Sequence, residues 1–128
     1  MSDNLVQQTC VPCSGSLPPA TPEEISQHHR QVPNWQVISP DGISQLQRSF
    51  GFANFRQALD FTNRIGEIAE VAGHHPALLT EWGKVTVTWW THAIHGLHQN
   101  DFVMAAKTDK VAEQCNAKTS ATITKSHA

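Results

Sequence analysis

The most regular pattern of apolar residues predicts an amphipathic helix in the middle of the chain. Apolar and small side chains recur there at three- and four-residue steps and form one stripe, made of Phe55, Ala58, Leu59, Thr62, Ile65, Ala69 and Ala72. Asn54 with Gln57 can cap the start of this helix, and Gly73 can end it in the left-handed conformation. We therefore expect a helix between Asn54 and Gly73.

Two further helices are predicted near the ends of the chain. In the run from Thr21 to Glu24, threonine can cap, proline occupies the first helical position and Glu24 completes a capping box. This helix should stop before Pro33. A last helix from about Asn100 to Cys115 places one side toward a core, with Ala105, Thr108, Val111, Ala112 and Cys115.

Four segments are predicted to be strands and pair into two hairpins. Residues 35–38 and 46–50 flank Ser39-Pro40-Asp41-Gly42, a sequence typical of turns. Residues 77–82 and 84–92 flank Gly83, and the second of these is the strongest strand pattern in the sequence.

Alternation in the last strand assigns its side chains to two faces. Val85, Val87 and Trp89 can pack on helices, so Trp90 and His92 should point to the opposite face. A monomer would leave the Trp90 indole exposed there. We therefore expect self-association through that face or through a sheet edge.

The order of elements, α-β-β-α-β-β-α, predicts an α+β fold. We expect a four-stranded antiparallel sheet with three helices on one face. Residues 21–115 form this domain, residues 1–20 are a polar, proline-containing leader expected to be mobile, and residues 116–128 are a polar tail expected to fray.

Length and charge exclude several classes of protein. The 128 residues suit one domain that buries a core without disulfides. Charged residues are 16% of the chain and the net charge is −2, so we expect no nucleic-acid partner. No apolar run approaches the roughly 20 residues of a membrane span, and the first residues lack the features of a secretory signal. We therefore expect a cytoplasmic protein without a membrane partner.

The three cysteines leave two interpretations open. Cys10 and Cys13 form a Cys-x-x-Cys pair, which can supply half of a zinc site or a redox pair. The alternative is a pair of reduced cysteines in a tail, which we favour because there is no second such motif. With Cys115 the number is odd, so a disulfide framework is not expected.

Histidines cluster in one part of the chain, where five of the eight lie between residues 74 and 98. Imidazole has an ordinary pKa of about 6.5, so it both gives and takes protons near neutral pH. The cluster therefore indicates proton transfer or metal binding. The spacing His92-x-x-His95-x-x-His98 offers metal ligands, but Gly96 and the end of a strand make that geometry doubtful, and we expect no metal.

His74 and His75 follow a helix end and precede Pro76, on a short and stiff connection. Their simplest interpretation is a solvated turn. Glu70 lies in the last helical turn, where the helix dipole disfavours a carboxylate, and either His74 at i+4 compensates it or water does. Asp101 can cap the last helix.

Together these residues resemble the signature of the pterin-4a-carbinolamine dehydratase family. That signature is an acidic or polar residue, three residues, His-His-Pro, five or six residues, an aromatic, nine residues, a histidine or tryptophan, and then an aspartate. It is matched here by Glu70, His74-His75-Pro76, Trp82, His92 and Asp101. The resemblance spans about residues 21–115, and the segments 78–84 and Trp89-Trp90 are similar to the bacterial branch, which works beside phenylalanine hydroxylase.

The resemblance implies the predicted fold, assembly as a homodimer or homotetramer, and an activity. The activity is dehydration of 4a-hydroxytetrahydrobiopterin to quinonoid dihydropterin and water, which recycles the pterin cofactor of phenylalanine hydroxylase. An acid must protonate the leaving oxygen while a base removes the N5 proton. No cofactor or metal is implied, because the pterin nitrogen expels the hydroxyl and no electrons are transferred.

The resemblance also implies roles for individual residues. His74 and His92 are the acid and base, His75 binds substrate and assists catalysis, and Trp82 lines the pterin ring. Glu70 and Asp101 support the imidazoles. The alternative function is a protein-protein interaction or dimerisation module, since animal relatives bridge dimers of a transcription factor.

Overall fold

The computed structural model describes residues 19–115 and residue 117. The predicted leader up to residue 18, with Cys10 and Cys13, and nearly all of the predicted tail lie outside the described residues. In the described part of the chain, no helix is both long and apolar enough to cross a membrane.

The elements occur in the predicted order. The helices are α1 (Pro22–His29), α2 (Phe55–Ala72) and α3 (Gln99–Gln114). The strands are β1 (Gln36–Ile38), β2 (Gln45–Gly51), β3 (Ala77–Glu81) and β4 (Lys84–Trp89). Short 3-10 turns cover Pro40–Gly42 and His92–Ile94. The α+β prediction is confirmed.

Local capping signals fix the helix ends where the sequence indicated. The Thr21 side chain accepts a hydrogen bond from the Glu24 amide, and the Glu24 carboxylate accepts one from the Thr21 amide, which completes the capping box. Asn54 caps α2 through the amide of Gln57. Gly73 ends α2 with φ 67°, a left-handed conformation that costs glycine little.

The sheet is antiparallel throughout, with the strand order β1-β2-β4-β3. Both predicted hairpins are present, and β2 pairs with β4 in the centre. Within residues 19–115, β3 has a neighbouring strand on one side only, so it is an edge strand of this sheet. On one face of the central pair, polar side chains bond across the strands, Gln47 to Thr88 and Ser49 to Thr86.

Helices α2 and α3 pack on the other face, which carries the apolar core. The sheet contributes Leu46, Phe50, Val85, Val87 and Trp89. The helices contribute Ala58, Phe61, Ile65, Ala69, Phe102, Val103, Met104 and Ala105. The placement of Val85, Val87 and Trp89 in the core is therefore as predicted.

The predicted stripe on α2 is partly wrong. Phe55 and Leu59 are exposed, whereas Phe61, which the stripe omitted, is fully buried. Each residue turns a helix by about 100°, so Leu59 points well away from Ala58 on the inner face. Phe61 instead packs between the rings of Phe50 and Phe52.

The predicted end of the last strand is also wrong. Strand β4 ends at Trp89, and His92 lies in the following 3-10 turn. Trp90 is half-buried against the core, and its ring centroid lies 4.4 Å from that of His92. The expectation that a monomer leaves Trp90 exposed on the open sheet face therefore fails.

A partly buried ion pair joins the sheet to α3. The Arg48 guanidinium donates to Asp109 Oδ1 at 2.7 Å, and the Trp35 indole N–H donates to the same oxygen at 2.9 Å. Burial raises the pKa of the Asp109 carboxyl, and the nearby Arg48 charge and hydrogen bonds offset only part of that rise.

Candidate functional site

The candidate site is built around a buried histidine and aspartate. His74 Nε2 lies 2.7 Å from Asp101 Oδ1, both side chains are buried, and they are 27 residues apart in the sequence. A carboxylate accepts hydrogen bonds and does not donate them, so His74 Nε2 carries the hydrogen. This leaves Nδ1 as the ring nitrogen that Asp101 does not engage.

The end of α2 directs His74 inward. The left-handed Gly73 reverses the chain, and the His74 amide donates back to the Ala69 carbonyl at 3.1 Å. This is the closure expected after a helix that ends in a left-handed glycine. The His74 side chain is thereby directed toward α3, where Asp101 lies.

The His74 ring is also held by stacking. It lies parallel to the Trp89 indole, with an interplanar angle of 10° and ring centroids 5.6 Å apart. The indole N–H donates to the Thr108 hydroxyl, which in turn donates to the Met104 carbonyl. A side chain fixed by packing and by outer hydrogen bonds is pre-organised for its task.

Asp101 accepts three hydrogen bonds and is fully buried. Oδ1 accepts from His74, whereas Oδ2 accepts from the Thr91 hydroxyl at 2.8 Å and from the His98 amide at 2.9 Å. These donors come from the end of α2, the segment after β4 and the start of α3. One carboxylate therefore connects three parts of the fold.

His98 caps α3 and helps to place Asp101. Its Nδ1 accepts from the Asn100 amide at 3.2 Å, and Asp101 at the third helical position accepts from the His98 amide. The capping role predicted for Asp101 is thus present. The sequence interpretation missed His98 because serine, threonine, aspartate and asparagine are the usual caps. Its spacing to Asp101 is that of a capping box and could have revealed it.

The sequence left either His74 or water as the partner of Glu70, and the structure pairs it with His75. The Glu70 carboxylate accepts from His75 Nε2 at 2.6 Å, and both side chains are exposed. His74, the one histidine that the sequence offered as a partner, faces Asp101 instead. The pairing of Glu70 with His74 is therefore wrong, because Gly73 reverses the chain before an i+4 contact can form.

His92 is exposed and lies directly after Thr91, whose hydroxyl binds Asp101. The Thr91 amide donates to the Gly96 carbonyl at 2.9 Å, and the Gly96 amide donates back at 3.4 Å. This pair of bonds closes the loop that carries His92. The loop therefore starts at a residue that contacts the partner of His74.

Trp82 lies in the turn between β3 and β4. It is 56% exposed and precedes Lys84, the first residue of β4, whereas His74 stacks on Trp89, the last one. The five residue steps from Lys84 to Trp89 span roughly 17 Å. Within one protomer, the length of β4 therefore separates Trp82 from His74, and its predicted contact with substrate stays a prediction.

The three histidines that suggested a metal occupy different local structures. His92 begins the 3-10 turn, His95 follows it with φ 53°, and the His98 ring caps α3. Among the described residues, no group of three or more His, Cys, Asp or Glu side chains is arranged to hold a metal ion.

Comparison with known proteins identifies the family. The sequence profile described as "Pterin 4 alpha carbinolamine dehydratase" matches residues 18–111. A protein from Syntrophotalea carbinolica is 53% identical over 87% of this chain and 99% of its own length. One from Microcystis aeruginosa is 55% identical over 88% of this chain and 97% of its own length. Both are provisionally named pterin-4-alpha-carbinolamine dehydratases.

Two solved structures share the fold of this chain. A transcriptional coactivator/pterin dehydratase from Brucella melitensis superposes with a TM-score of 0.68, at 32% identity over 73% of this chain and 98% of that one. A pterin dehydratase-like protein, a RuBisCO assembly factor of the alpha-carboxysome, shares the fold at 22% identity, with a TM-score of 0.54 over 66% of this chain and 93% of that one. The chain belongs to the pterin 4 alpha carbinolamine dehydratase family.

Proposed function

We propose that the chain dehydrates 4a-hydroxytetrahydrobiopterin and so recycles the pterin cofactor of phenylalanine hydroxylase. The family supports a pterin-type substrate and dehydratase chemistry. The observation that carries the proposal is the fixed orientation of the buried His74. Its Nε2 is hydrogen-bonded to Asp101, and its ring stacks on Trp89. An imidazole held in one orientation is suited to general acid or base catalysis through its other nitrogen.

The reaction needs one proton to be delivered and another removed. The C4a–O bond breaks as its hydroxyl is protonated, the N5 lone pair forms a double bond to C4a, and N5 loses its hydrogen. The products are the quinonoid dihydropterin and water, with no change in oxidation state. Imidazole suits both transfers because its ordinary pKa of about 6.5 lies near neutral pH.

In this proposal His74 and His92 are the two proton-transfer groups, and His74 acts through Nδ1. Which of them is the acid depends on the face of the pterin that carries the hydroxyl. His75 binds substrate, and the exposed Glu70 carboxylate fixes the orientation of its ring. The link from Asp101 through Thr91 to the His92 loop supports a site that includes both imidazoles.

The proposal is tested by following the loss of 4a-hydroxypterin absorbance with the purified protein. We expect the wild-type chain to accelerate the loss well beyond the rate in buffer. The double variant His74→Ala/His92→Ala, purified in the same way, controls for contaminating enzymes and should not accelerate it. A wild-type rate equal to that of the double variant would refute the dehydratase proposal.

We further propose that two copies of the chain associate through the edge strand β3. Among the described residues, no strand pairs with its outer edge, so its backbone groups there can extend a sheet, and its Leu79 side chain is 58% exposed. Such an interface also accommodates the alternative function, a protein-protein interaction module, with a second copy as the partner. The Brucella relative, described as both coactivator and dehydratase, is compatible with an interaction role beside catalysis.

Sedimentation of two charge variants tests the association. Leu79→Lys places a charge on the β3 edge and should convert the wild-type oligomer to a smaller species. Val71→Lys is a matched control on α2, where the side chain is 91% exposed, and should leave the wild-type mass unchanged. Loss of the oligomer in Val71→Lys but not in Leu79→Lys would place the interface on α2 instead.

A further inference from the structure

Thr91 makes two kinds of contact in the candidate site. Its hydroxyl donates to Asp101 Oδ2 at 2.8 Å, and its backbone exchanges two hydrogen bonds with Gly96. The residue is 2% exposed, so water does not compete for the hydroxyl. Thr91 is not among the residues of the signature, and the predicted strand over residues 84–92 made it an ordinary strand residue.

The two contacts act on the two imidazoles. Through its side chain, Thr91 orients the carboxylate that binds His74. Through its backbone, it closes the loop that carries the adjacent His92. Errors of about an ångström in the placement of reacting groups lower rates strongly, so a residue that sets both placements affects catalysis without touching substrate.

We propose that Thr91 is a positioning residue that aligns His74, through Asp101, with the loop of His92. This inference rests on the dehydratase function proposed above. The Thr91 hydroxyl and the His98 amide both donate to Asp101 Oδ2, and this orients the carboxylate so that Oδ1 faces His74 Nε2. The Thr91 hydroxyl thereby favours the tautomer of His74 that carries its hydrogen on Nε2.

Thr91→Val separates the side-chain contact from the backbone contact, because valine keeps the branched shape and the bonds to Gly96 but cannot donate to Asp101. We expect kcat for dehydration to fall on the order of 10-fold, with KM little changed. Thr91→Ser retains the hydroxyl and should keep a kcat close to that of the wild type. Thr62→Val is a matched control, since it removes a hydroxyl that joins α2 to β3 by a hydrogen bond to Thr80, and it should keep the wild-type kcat.

The ring nitrogen shifts of His74, measured by 15N NMR, provide a readout that does not depend on activity. We expect a single Nε2–H tautomer in the wild type and in Thr91→Ser. In Thr91→Val only the His98 amide holds Oδ2, so the carboxylate can turn away from His74, and we expect a second population with the hydrogen on Nδ1. If the wild type does not dehydrate the pterin, the proposed function fails while the NMR result still decides the role of Thr91. A wild-type kcat together with an unchanged tautomer in Thr91→Val would overturn the positioning role. Should Thr91→Val not fold, Thr91→Ala replaces it, and kcat and the His74 tautomer are measured in the same way.

Discussion

The substitution Asp101→Asn is expected to lower kcat for pterin dehydration on the order of 10²- to 10⁴-fold. The amide keeps the shape of the carboxylate but has only one acceptor oxygen. The Thr91 hydroxyl and the His98 amide both donate to Oδ2, so the amide oxygen stays with them and the amide nitrogen faces His74. His74 Nε2 must then accept, which moves the ring hydrogen to Nδ1, the nitrogen that our proposal assigns to proton transfer.

A double-mutant cycle separates this effect from general damage. His74→Ala alone should cost about as much as Asp101→Asn, and adding Asp101→Asn to His74→Ala should change kcat little, because the carboxylate acts through that imidazole. Circular dichroism and a thermal midpoint for each variant control for unfolding. Full activity in a folded Asp101→Asn, or additive losses in the double variant, would contradict the assignment of Asp101 as the partner of His74.

Local signals predicted much of the fold, because they act over a few residues. The capping box of Thr21 and Glu24, the Asn54 cap and the left-handed Gly73 each depend on neighbours in the sequence. The alternation of Val85 and Val87 likewise identified the buried face of β4. These features could be predicted because tertiary contacts reinforce the local preferences and do not override them.

The candidate site could be predicted only in part, because its contacts are long-range. The sequence pointed to His74 and Asp101, but nothing in it showed that they bind each other across 27 residues. The position of Thr91 depends on pairing with Gly96, which ends the strand pattern early. His98 acts as a cap through a side chain seldom used for that purpose. Proximity along the helix suggested a Glu70–His74 pair, and the reversal at Gly73 removed it.

The substitution Arg48→Met is expected to lower the free energy of unfolding by about 2–4 kcal/mol at neutral pH. The arginine side chain is 10% exposed and the Asp109 side chain 26% exposed, so this pair is largely withdrawn from water. In the wild type the guanidinium carbon of Arg48 lies 4.6 Å from the centroid of the Phe50 ring, over its face. Methionine fills a similar volume beside this ring. The carboxylate would keep the Trp35 N–H as a donor but lose the charge that compensates its burial.

The destabilisation caused by Arg48→Met should depend on pH in a defined direction. Burial raises the pKa of Asp109 above its ordinary value of 3.8, so the folded protein binds a proton more readily than the unfolded chain. The contribution of this carboxyl to stability is therefore greatest below 3.8 and is lost as the pH rises through the raised pKa. Without Arg48 the charged form of the Asp109 carboxyl is less favourable still, so protonation relieves more of the cost in the variant than in the wild type. The destabilisation by Arg48→Met should therefore shrink as the pH is lowered from 7 toward 4.

Urea unfolding at several pH values measures this dependence, and the double variant Arg48→Met/Asp109→Asn is its control. Asparagine removes the uncompensated charge while its amide oxygen can still accept from Trp35, so the double variant should regain much of the stability lost at pH 7. Its stability should also vary less with pH than that of Arg48→Met. A double variant no more stable than Arg48→Met at neutral pH would show that lost packing of the arginine stem, not the stranded carboxylate, causes the destabilisation.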